Sequence, residues 1–377
     1  MNLHHSVIRN ASLIFGAALL VFLVSSEPAS AYWYWQCGGD PTTWRSDPTF
    51  RINRNNIAAG SLDDADMTEA MTRWNLTPGA WFDFVIGTAA SGTTSTSDGQ
   101  NRIEYHFPAH VAVGHAHVRY DTCITWWPGP NQDIEEADVH FVADWLPGAG
   151  LTWNRGAPDP RVGTGNPLRL AAIHELGHAL GLSPTNATHE NSLLDNMNAA
   201  IPAGGATGGG STVRANTLPD SARGFRFLYP GSATAVDQFT TNFRLTAGST
   251  SATLVPSLPR CARPGDTIPI FFTVGNRGNL NSPNTSCGVY MSTNTTISTA
   301  DTQLLDCSWA PGAHALAESF SFSVRIPSST PTGTIRFFGM LLDDGGAVSE
   351  SIESNNAVAA PGSPSTLDGV RIQASCP

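Results

Sequence analysis

Apolar residues recur three or four positions apart in three stretches of the first half of the chain. The first stretch follows Ser61 and stops at Pro78-Gly79, the second begins at Pro167 and ends near Gly181, and the third covers residues 219–229. The repeating positions of the first stretch are Met67, Ala70, Met71 and Trp74. Because this spacing puts apolar side chains on one side of a helix, we predict three amphipathic helices.

Short runs rich in β-branched and aromatic residues separate these helices and predict strands at residues 81–86, 102–107, 111–120 and 137–142. After Pro230-Gly231 the helical periodicity disappears. Runs of the same kind recur at residues 268–274, 289–292, 320–326 and 335–342, with Gly- and Pro-containing turns between them. This spacing is typical of a β-sandwich of about 100 residues. The fold class predicted from the whole pattern is α+β, with a twisted mixed sheet and three helices followed by the sandwich.

The N-terminus has the pattern of an export signal. A 14-residue apolar run over residues 11–24 precedes the small-x-small sequence Ala29-Ser30-Ala31. Because this run is too short to span a bilayer comfortably, we expect a signal peptide over residues 1–31, a secreted protein and no stable membrane insertion. The domains expected after it are a first domain at 32–231, a linker at 232–256 and the sandwich at 257–377.

The composition narrows the classes of partner. Only 14% of the 377 residues are charged, the formal net charge is −11, and all 20 basic residues are arginine. An acidic chain without long charge runs is not expected to bind nucleic acid. Helical bundles and coiled coils are also excluded, because they need far more charged residues.

The six cysteines all lie after the export signal, where pairing is expected. The first half holds Cys37 and Cys123, and we expect these two to pair. The second half holds Cys261, Cys287, Cys307 and Cys376. Three connectivities remain if pairs stay within halves, and we favour Cys287 with Cys307 and Cys261 with Cys376.

The strongest chemical signal is His174-Glu175-Leu176-Gly177-His178 on the second predicted helix. Histidines four residues apart lie on one helical face, so both imidazoles can bind one zinc ion, and Glu175 lies beside the open position of that ion. Zinc makes a bound water more acidic and polarises a carbonyl, and a neighbouring carboxylate can collect the proton as the water attacks. We therefore predict that His174 and His178 ligate zinc and that Glu175 is the catalytic general base.

Residues 174–181 match the start of H-E-x-x-H-x-x-G-x-x-H, so the first domain resembles the matrixin-like metzincin zinc proteases. In that family the final histidine is the third zinc ligand, but Pro184 stands at its position here. Removing the five residues 184–188 restores H-E-L-G-H-A-L-G-L-S-H-E-N and makes His189 the expected third ligand. A carboxylate, from Glu190 or Asp195, is the alternative. The resemblance also implies that Met197 forms the Met-turn beneath the metal.

Weaker signals concern structural cations and the second domain. Four carboxylates lie ahead of and within one predicted strand; they are Asp133, Glu135, Glu136 and Asp138. By resemblance to matrix metalloproteases, which have structural calcium near a comparable strand pair, they imply a calcium site. By resemblance to matrix metalloproteases, His117 and His140 fall near two ligands of a second, structural zinc. The second half resembles the CARDB family of bacterial adhesion-related, immunoglobulin-like domains in its turns, such as residues 264–266, 274–278 and 353–356. That likeness implies contact with a surface or polymer.

Together these features predict a secreted zinc endopeptidase that hydrolyses peptide bonds of protein or peptide substrates with a metal-activated water. The competing hypothesis is a non-catalytic secreted binding or adhesion protein, in which the insertion at Pro184 has disabled the metalloprotease domain. Retention of Glu175 favours the enzyme, because a binding protein has no use for a general base at that place.

Overall fold

The computed structural model describes residues 33–37, 40–88, 90, 98–105, 114–120, 132–143, 153–156, 166–184, 197, 219–245, 261–294, 296–310, 312, 318–353, 356–359 and 369–376. The predicted signal peptide at 1–31 lies outside these residues. Among the residues described, no helix is both long and apolar enough to cross a bilayer.

The first half is a mixed α and β structure. Its elements are β1 (Trp33–Tyr34), β2 (Gln36–Cys37), β3 (Asp40–Thr43), β4 (Thr49–Ile52), α1 (Leu62–Asn75), β5 (Val85–Ile86), β6 (Asn101–Tyr105), β7 (Gly114–Tyr120), β8 (Gln132–Phe141), β9 (Trp153–Asn154), β10 (Asn166–Pro167), α2 (Leu168–Ala179), β11 (Leu182–Ser183) and α3 (Pro219–Leu228). The main sheet has the order β2-β3-β8-β6-β4-β5, and β7 pairs with β8. Strands β3, β8, β6, β4 and β5 run parallel, whereas β7 runs antiparallel to β8.

The helices pack on the apolar face of this sheet, close to the predicted places. Ser61 caps α1 by accepting a hydrogen bond from the backbone N–H of Asp64. The predicted apolar stripe of α1 is buried, and the indole N–H of Trp74 donates to the carbonyl of Ile173 in α2 at 3.0 Å. The stripe therefore joins α1 directly to the helix that carries the metal motif.

The second half is built from two sheets that share one hydrophobic core. Its strands are β12 (Gln238–Arg244), β13 (Cys261–Ala262), β14 (Thr267–Asn276), β15 (Thr285–Ser292), β16 (Thr302–Trp309), β17 (Glu318–Arg325), β18 (Thr334–Leu342), β19 (Ala357–Ala359) and β20 (Val370–Ile372). One sheet has the order β12-β14-β17, and the other has the order β13-β20-β18-β15-β16 with β19 beside β18.

The structure differs from two predictions about the second half, namely where the sandwich begins and how many strands it has. Strand β12 falls inside the predicted linker at 232–256, yet it pairs antiparallel with β14, so the sandwich begins before residue 257. Strand β16 was not predicted, because polar and exposed residues dominate it.

The expected disulfides Cys261–Cys376 and Cys287–Cys307 are present, the second joining facing positions of β15 and β16. Cys37 lies on β2, and its expected partner Cys123 is outside the described residues.

Hydrogen bonds join the two halves, and residues Ala31–Pro377 form one compact unit. The guanidinium of Arg226, buried on α3, donates to the carbonyl of Pro78 at 3.2 Å and to the carbonyl of Arg277 at 2.8 Å. Arg277 forms a buried ion pair with Asp237, at 2.6 Å from its Nη2 to Oδ2. Buried charged groups thus lie at the junction between the two halves.

Candidate metal centre

Helix α2 brings the two predicted histidine ligands together. The Nε2 atoms of His174 and His178 lie 3.1 Å apart, which is close to the roughly 3.3 Å expected for two nitrogens bound tetrahedrally to one zinc ion. Nδ1 of His178 donates to the backbone carbonyl of Leu182 at 2.8 Å. That hydrogen bond holds the ring and leaves Nε2 as the atom with a lone pair for a metal. The donor set therefore fits zinc.

Glu175 lies beside this pair, with a carboxylate oxygen within 4.8 Å of a nitrogen of each histidine. Its carboxylate accepts a hydrogen bond from the backbone N–H of Ala116 on β7. Burial raises the pKa of Glu175 to about 8, against the opposing effect of that hydrogen bond. A Cβ atom on Gly114 would lie 3.1 Å from Oε1 of Glu175, so a side chain at position 114 would crowd the carboxylate. The antiparallel strand β7 thus positions the predicted general base.

Met197 packs against the same helix, directly opposite Gly177. Its side chain is fully buried, and a Cβ atom built on Gly177 would lie 2.3 Å from the sulfur and 3.1 Å from Trp74. The close approach of Met197 therefore favours glycine at this helical position, although glycine is a poor helix former. Met197 thus packs against the helix that carries both histidines, and its role in a Met-turn stays a prediction.

The end of α2 is held by donors from three separate segments. The carbonyl of Ala179 accepts from the indole of Trp44, that of Leu180 from the hydroxyl of Tyr229, and that of Gly181 from the backbone N–H of Trp35. These are carbonyls that a helix end would otherwise leave without partners. Gly181 has φ +96°, and an added Cβ would meet the carbonyl oxygen of Thr42 at 2.5 Å. The chain can thus leave the helix sharply, as the predicted ending at Gly181 requires.

The expected third ligand His189 lies outside the described residues, as do the alternatives Glu190 and Asp195. Of the predicted metal and catalytic residues, the structure therefore brings together His174, His178 and Glu175, with Met197 packed behind them.

The four predicted calcium-binding carboxylates are paired with arginines or backbone N–H groups, and Arg119 contacts both Glu135 and Glu136. Asp133 pairs with Arg45, Glu135 pairs with Arg119, and Glu136 accepts from the backbone N–H groups of residues 98 and 99. Asp138 accepts from the backbone N–H of Arg102 at 2.9 Å. No three of these carboxylates converge on one point among the residues described.

Asp138 belongs to a polar sheet face that is itself buried. On β8 the side chains of Glu136, Asp138 and His140 are at most 2% exposed, and Arg102 and Glu104 of β6 are buried beside them. Burial raises the pKa of Asp138 to about 7. Burial would also raise the pKa of Glu104, but hydrogen bonds from His140 and Asn53 outweigh it and lower that pKa.

The two histidines suggested for a second zinc lie on neighbouring strands. His140 stacks on His115 with ring centroids 4.9 Å apart, and its Nδ1 is 3.2 Å from Oε1 of Glu104. His117 is exposed and faces Asp138 in the register of β7 and β8. His140 is thus engaged with a carboxylate and a second imidazole.

Sequence reasoning missed several groups that position the site. Gly114 and Ala116 supply space and a hydrogen bond for Glu175, and Trp44 and Tyr229 hold the end of α2. The sequence contained one indication for Gly114, because it is a glycine within a predicted strand and precedes His115 and His117. Glycines inside strands often mark a place where another group approaches the backbone closely. No local pattern distinguishes Trp44 or Tyr229 from ordinary core aromatics.

Comparison with known proteins identifies the second half. The CARDB family model matches residues 238–360. No curated protein matches the chain significantly. The CARDB domain of the PF1109 protein from Pyrococcus furiosus, solved with di-metal ions, is 16% identical, with 37% of this chain and 89% of that chain covered and a TM-score of 0.24.

Two enzymes are also among the similar structures. β-Glucosidase from Listeria innocua in complex with glucose is 12% identical, with 38% of this chain and 17% of that chain covered and a TM-score of 0.20. Catalytically inactive OgpA from Akkermansia muciniphila, in complex with an O-glycopeptide substrate, is 8% identical, with 85% of this chain and 92% of that chain covered and a TM-score of 0.24. At these scores the similarities assign no activity.

Proposed function

We propose that this chain, whose residues 238–360 form a CARDB domain, is an exported zinc-dependent endopeptidase with a metzincin-like first domain. The observation that carries the proposal is the arrangement on α2, where His174 and His178 direct their Nε2 atoms to one point beside the buried Glu175. Met197 packed on Gly177 and the sharp turn at Gly181 add further support, because they fit the family resemblance of the motif.

The chain's own residues would do the following. His174, His178 and a third ligand, His189 by preference, would hold zinc, which supplies a Lewis acid and a more acidic bound water. Glu175 would take a proton from the attacking water and deliver it to the departing amine. Burial raises the pKa of Glu175 to about 8, and the positive charge of a bound zinc ion would act in the opposite direction and favour the carboxylate that accepts the proton. The Ala116 N–H would hold the carboxylate in place.

Substrate would bind along β7. In the described structure β7 pairs with β8 alone, and its Ala116 N–H points to Glu175. Among the described residues the other edge of β7 has no strand partner and borders Glu175, whose carboxylate takes the Ala116 N–H. An extended peptide can add to such an edge through backbone hydrogen bonds, which would bring a peptide carbonyl alongside Glu175. This arrangement suits an unfolded segment or a loop of a protein substrate.

The test measures zinc content and cleavage of an unstructured protein substrate in four proteins: wild type, Glu175→Gln, His178→Ala and the control Asp306→Asn, which removes an exposed carboxylate of β16. We expect Glu175→Gln to retain zinc and to lose about a thousandfold in cleavage rate. His178→Ala should lose both zinc and cleavage, and Asp306→Asn should keep both. Retained zinc and cleavage in Glu175→Gln would overturn the assignment of the general base.

The third ligand is tested by His189→Ala alongside Glu190→Gln and Asp195→Asn. The preferred assignment requires loss of zinc in the first variant only. Wild-type protein that binds no zinc and cleaves nothing would instead support the non-catalytic binding protein.

A further inference from the structure

Three carboxylates converge at one end of the sandwich, within the connection between β18 and β19. Asp343, Glu350 and Glu353 each offer one oxygen, and these oxygens lie within 4.8 Å of one another. Calcium binds oxygen at 2.3–2.6 Å, so two of its ligands are at most about 5 Å apart. The three oxygens therefore fit within one calcium coordination sphere.

Neutral donors fix the three side chains without neutralising them. Asp343 is buried and accepts from the Thr285 hydroxyl and from backbone N–H groups of residues 347 and 348. Glu350 accepts from the backbone N–H of Gln238, and Glu353 accepts from the backbone N–H of Glu350. A carboxylate can accept about four hydrogen bonds, so each of the three retains lone pairs for a cation.

A neighbouring amide points independently to a missing ligand. Asn356 is 5% exposed, and its Nδ2 donates to Oε1 of Glu350 at 3.1 Å. Its Oδ1 is buried and has no hydrogen-bond partner within the described structure. Because Oδ1 belongs to the amide that touches Glu350, it lies beside the carboxylate cluster. Buried polar atoms in proteins are almost always paired, and amide oxygens are ordinary calcium ligands.

The charges around the cluster also favour a cation. Asp237 lies close by, since the Ser351 hydroxyl donates to it, and its own partner is the guanidinium of Arg277. The hydrogen bonds to Asp343, Glu350 and Glu353 come from neutral groups, so Arg277 does not balance their charge. Three clustered carboxylates repel one another unless a proton or a cation lies between them.

We propose that Asp343, Glu350, Glu353 and the side-chain oxygen of Asn356 form a calcium site in the CARDB domain. Bound calcium would tie the segment after β18 to the start of β12, because Glu350 already bonds to the backbone of Gln238. Asp237 precedes Gln238 in the sequence and accepts a hydrogen bond from the guanidinium of Arg277. The backbone carbonyl of Arg277 in turn accepts from Arg226 on α3. Calcium would therefore stiffen the sandwich next to its junction with the first half.

The experiment titrates calcium into the full-length chain by calorimetry and follows thermal unfolding with and without 10 mM calcium. We expect a dissociation constant on the order of 10⁻⁴ to 10⁻³ M, as in calcium sites of extracellular modules, and a midpoint that rises by about 3 °C or more. Glu350→Gln should weaken binding at least tenfold. The matched control Asp306→Asn removes an exposed carboxylate of β16 and should bind like wild type.

Glu353→Gln is a second variant that tests the same site if Glu350→Gln does not fold. Its side chain is exposed, and glutamine can still accept from the N–H of Glu350, so the fold should persist while calcium binding weakens. Calcium binding that is unchanged in Glu353→Gln would place the ion elsewhere and overturn the proposal. Absence of any heat or midpoint shift in wild type would do the same.

Discussion

Replacing Gly177 with alanine tests how tightly Met197 packs on the helix that carries His174 and His178. In an unobstructed helix this change stabilises the fold by about 1 kcal/mol. Here the new methyl would lie 2.3 Å from the Met197 sulfur and 3.1 Å from a ring carbon of Trp74, both fully buried. We therefore expect alanine at this position to destabilise the protein instead.

The size of the effect follows from two opposing terms. Forcing an extra methyl into a packed core costs about 1–3 kcal/mol, and the helix propensity of alanine offsets about 1 kcal/mol of it. The net loss should be up to about 2 kcal/mol. In a Met197→Ala background the closer obstruction is gone and only the 3.1 Å approach to Trp74 remains, so Gly177→Ala should stabilise by up to about 1 kcal/mol. The coupling between the two positions should then be about 1–3 kcal/mol.

The assay is urea unfolding of the wild type, both single variants and the double variant, followed by tryptophan fluorescence because Trp74 lies at the contact. A double-mutant cycle then gives the coupling free energy. If Gly177→Ala stabilised the wild type as much as the Met197→Ala background, the coupling would be zero. The close contact between Met197 and the helix would then be refuted.

Three other substitutions test the site and its surroundings. Gly114→Ala should crowd Glu175 and lower kcat at least tenfold with zinc content unchanged; an unaltered kcat in steady-state assays would argue against this contact. Arg277→Met leaves Asp237 buried without its cation and should cost about 3–5 kcal/mol in urea unfolding, and a loss below 1 kcal/mol would contradict the buried pair. Burial raises the pKa of Asp138 to about 7, so the folded state keeps a proton that the unfolded state releases near pH 4. The free energy of unfolding should therefore fall by at most about 4 kcal/mol as the pH rises from about 4 to about 7. Asparagine at that position should remove this slope, and parallel stability curves for the two proteins between pH 4 and 8 would refute it.

The local parts of the site were predictable because a helix fixes the relation between near neighbours. Histidines four residues apart necessarily share a face, so the convergence of His174 and His178 follows once the segment is helical. The glycine at 181 likewise marks the helix end through its backbone conformation. These inferences needed no knowledge of distant parts of the chain.

Contacts between distant segments were not predictable in the same way. The Ala116 N–H reaches Glu175 only because β7 folds beside α2, and no residue pattern encodes that meeting. The polar face of the main sheet is a second case. Polar and apolar residues alternate along β6, which predicts that one face of the strand is exposed to water. All five residues of the strand are nevertheless buried. Hydrogen bonds and ion pairs among Arg102, Glu104 and their neighbours compensate for that burial.

The position of Arg226 bears on how this protein evolved. Its guanidinium donates to carbonyls on both sides of the boundary between the halves, at Pro78 and at Arg277. A gene rearrangement that exchanged the CARDB domain for another module would leave this buried cation without one of its acceptors. The two halves should therefore be inherited together. Because both acceptors are backbone carbonyls, the constraint falls on Arg226 itself rather than on the side chains at positions 78 and 277.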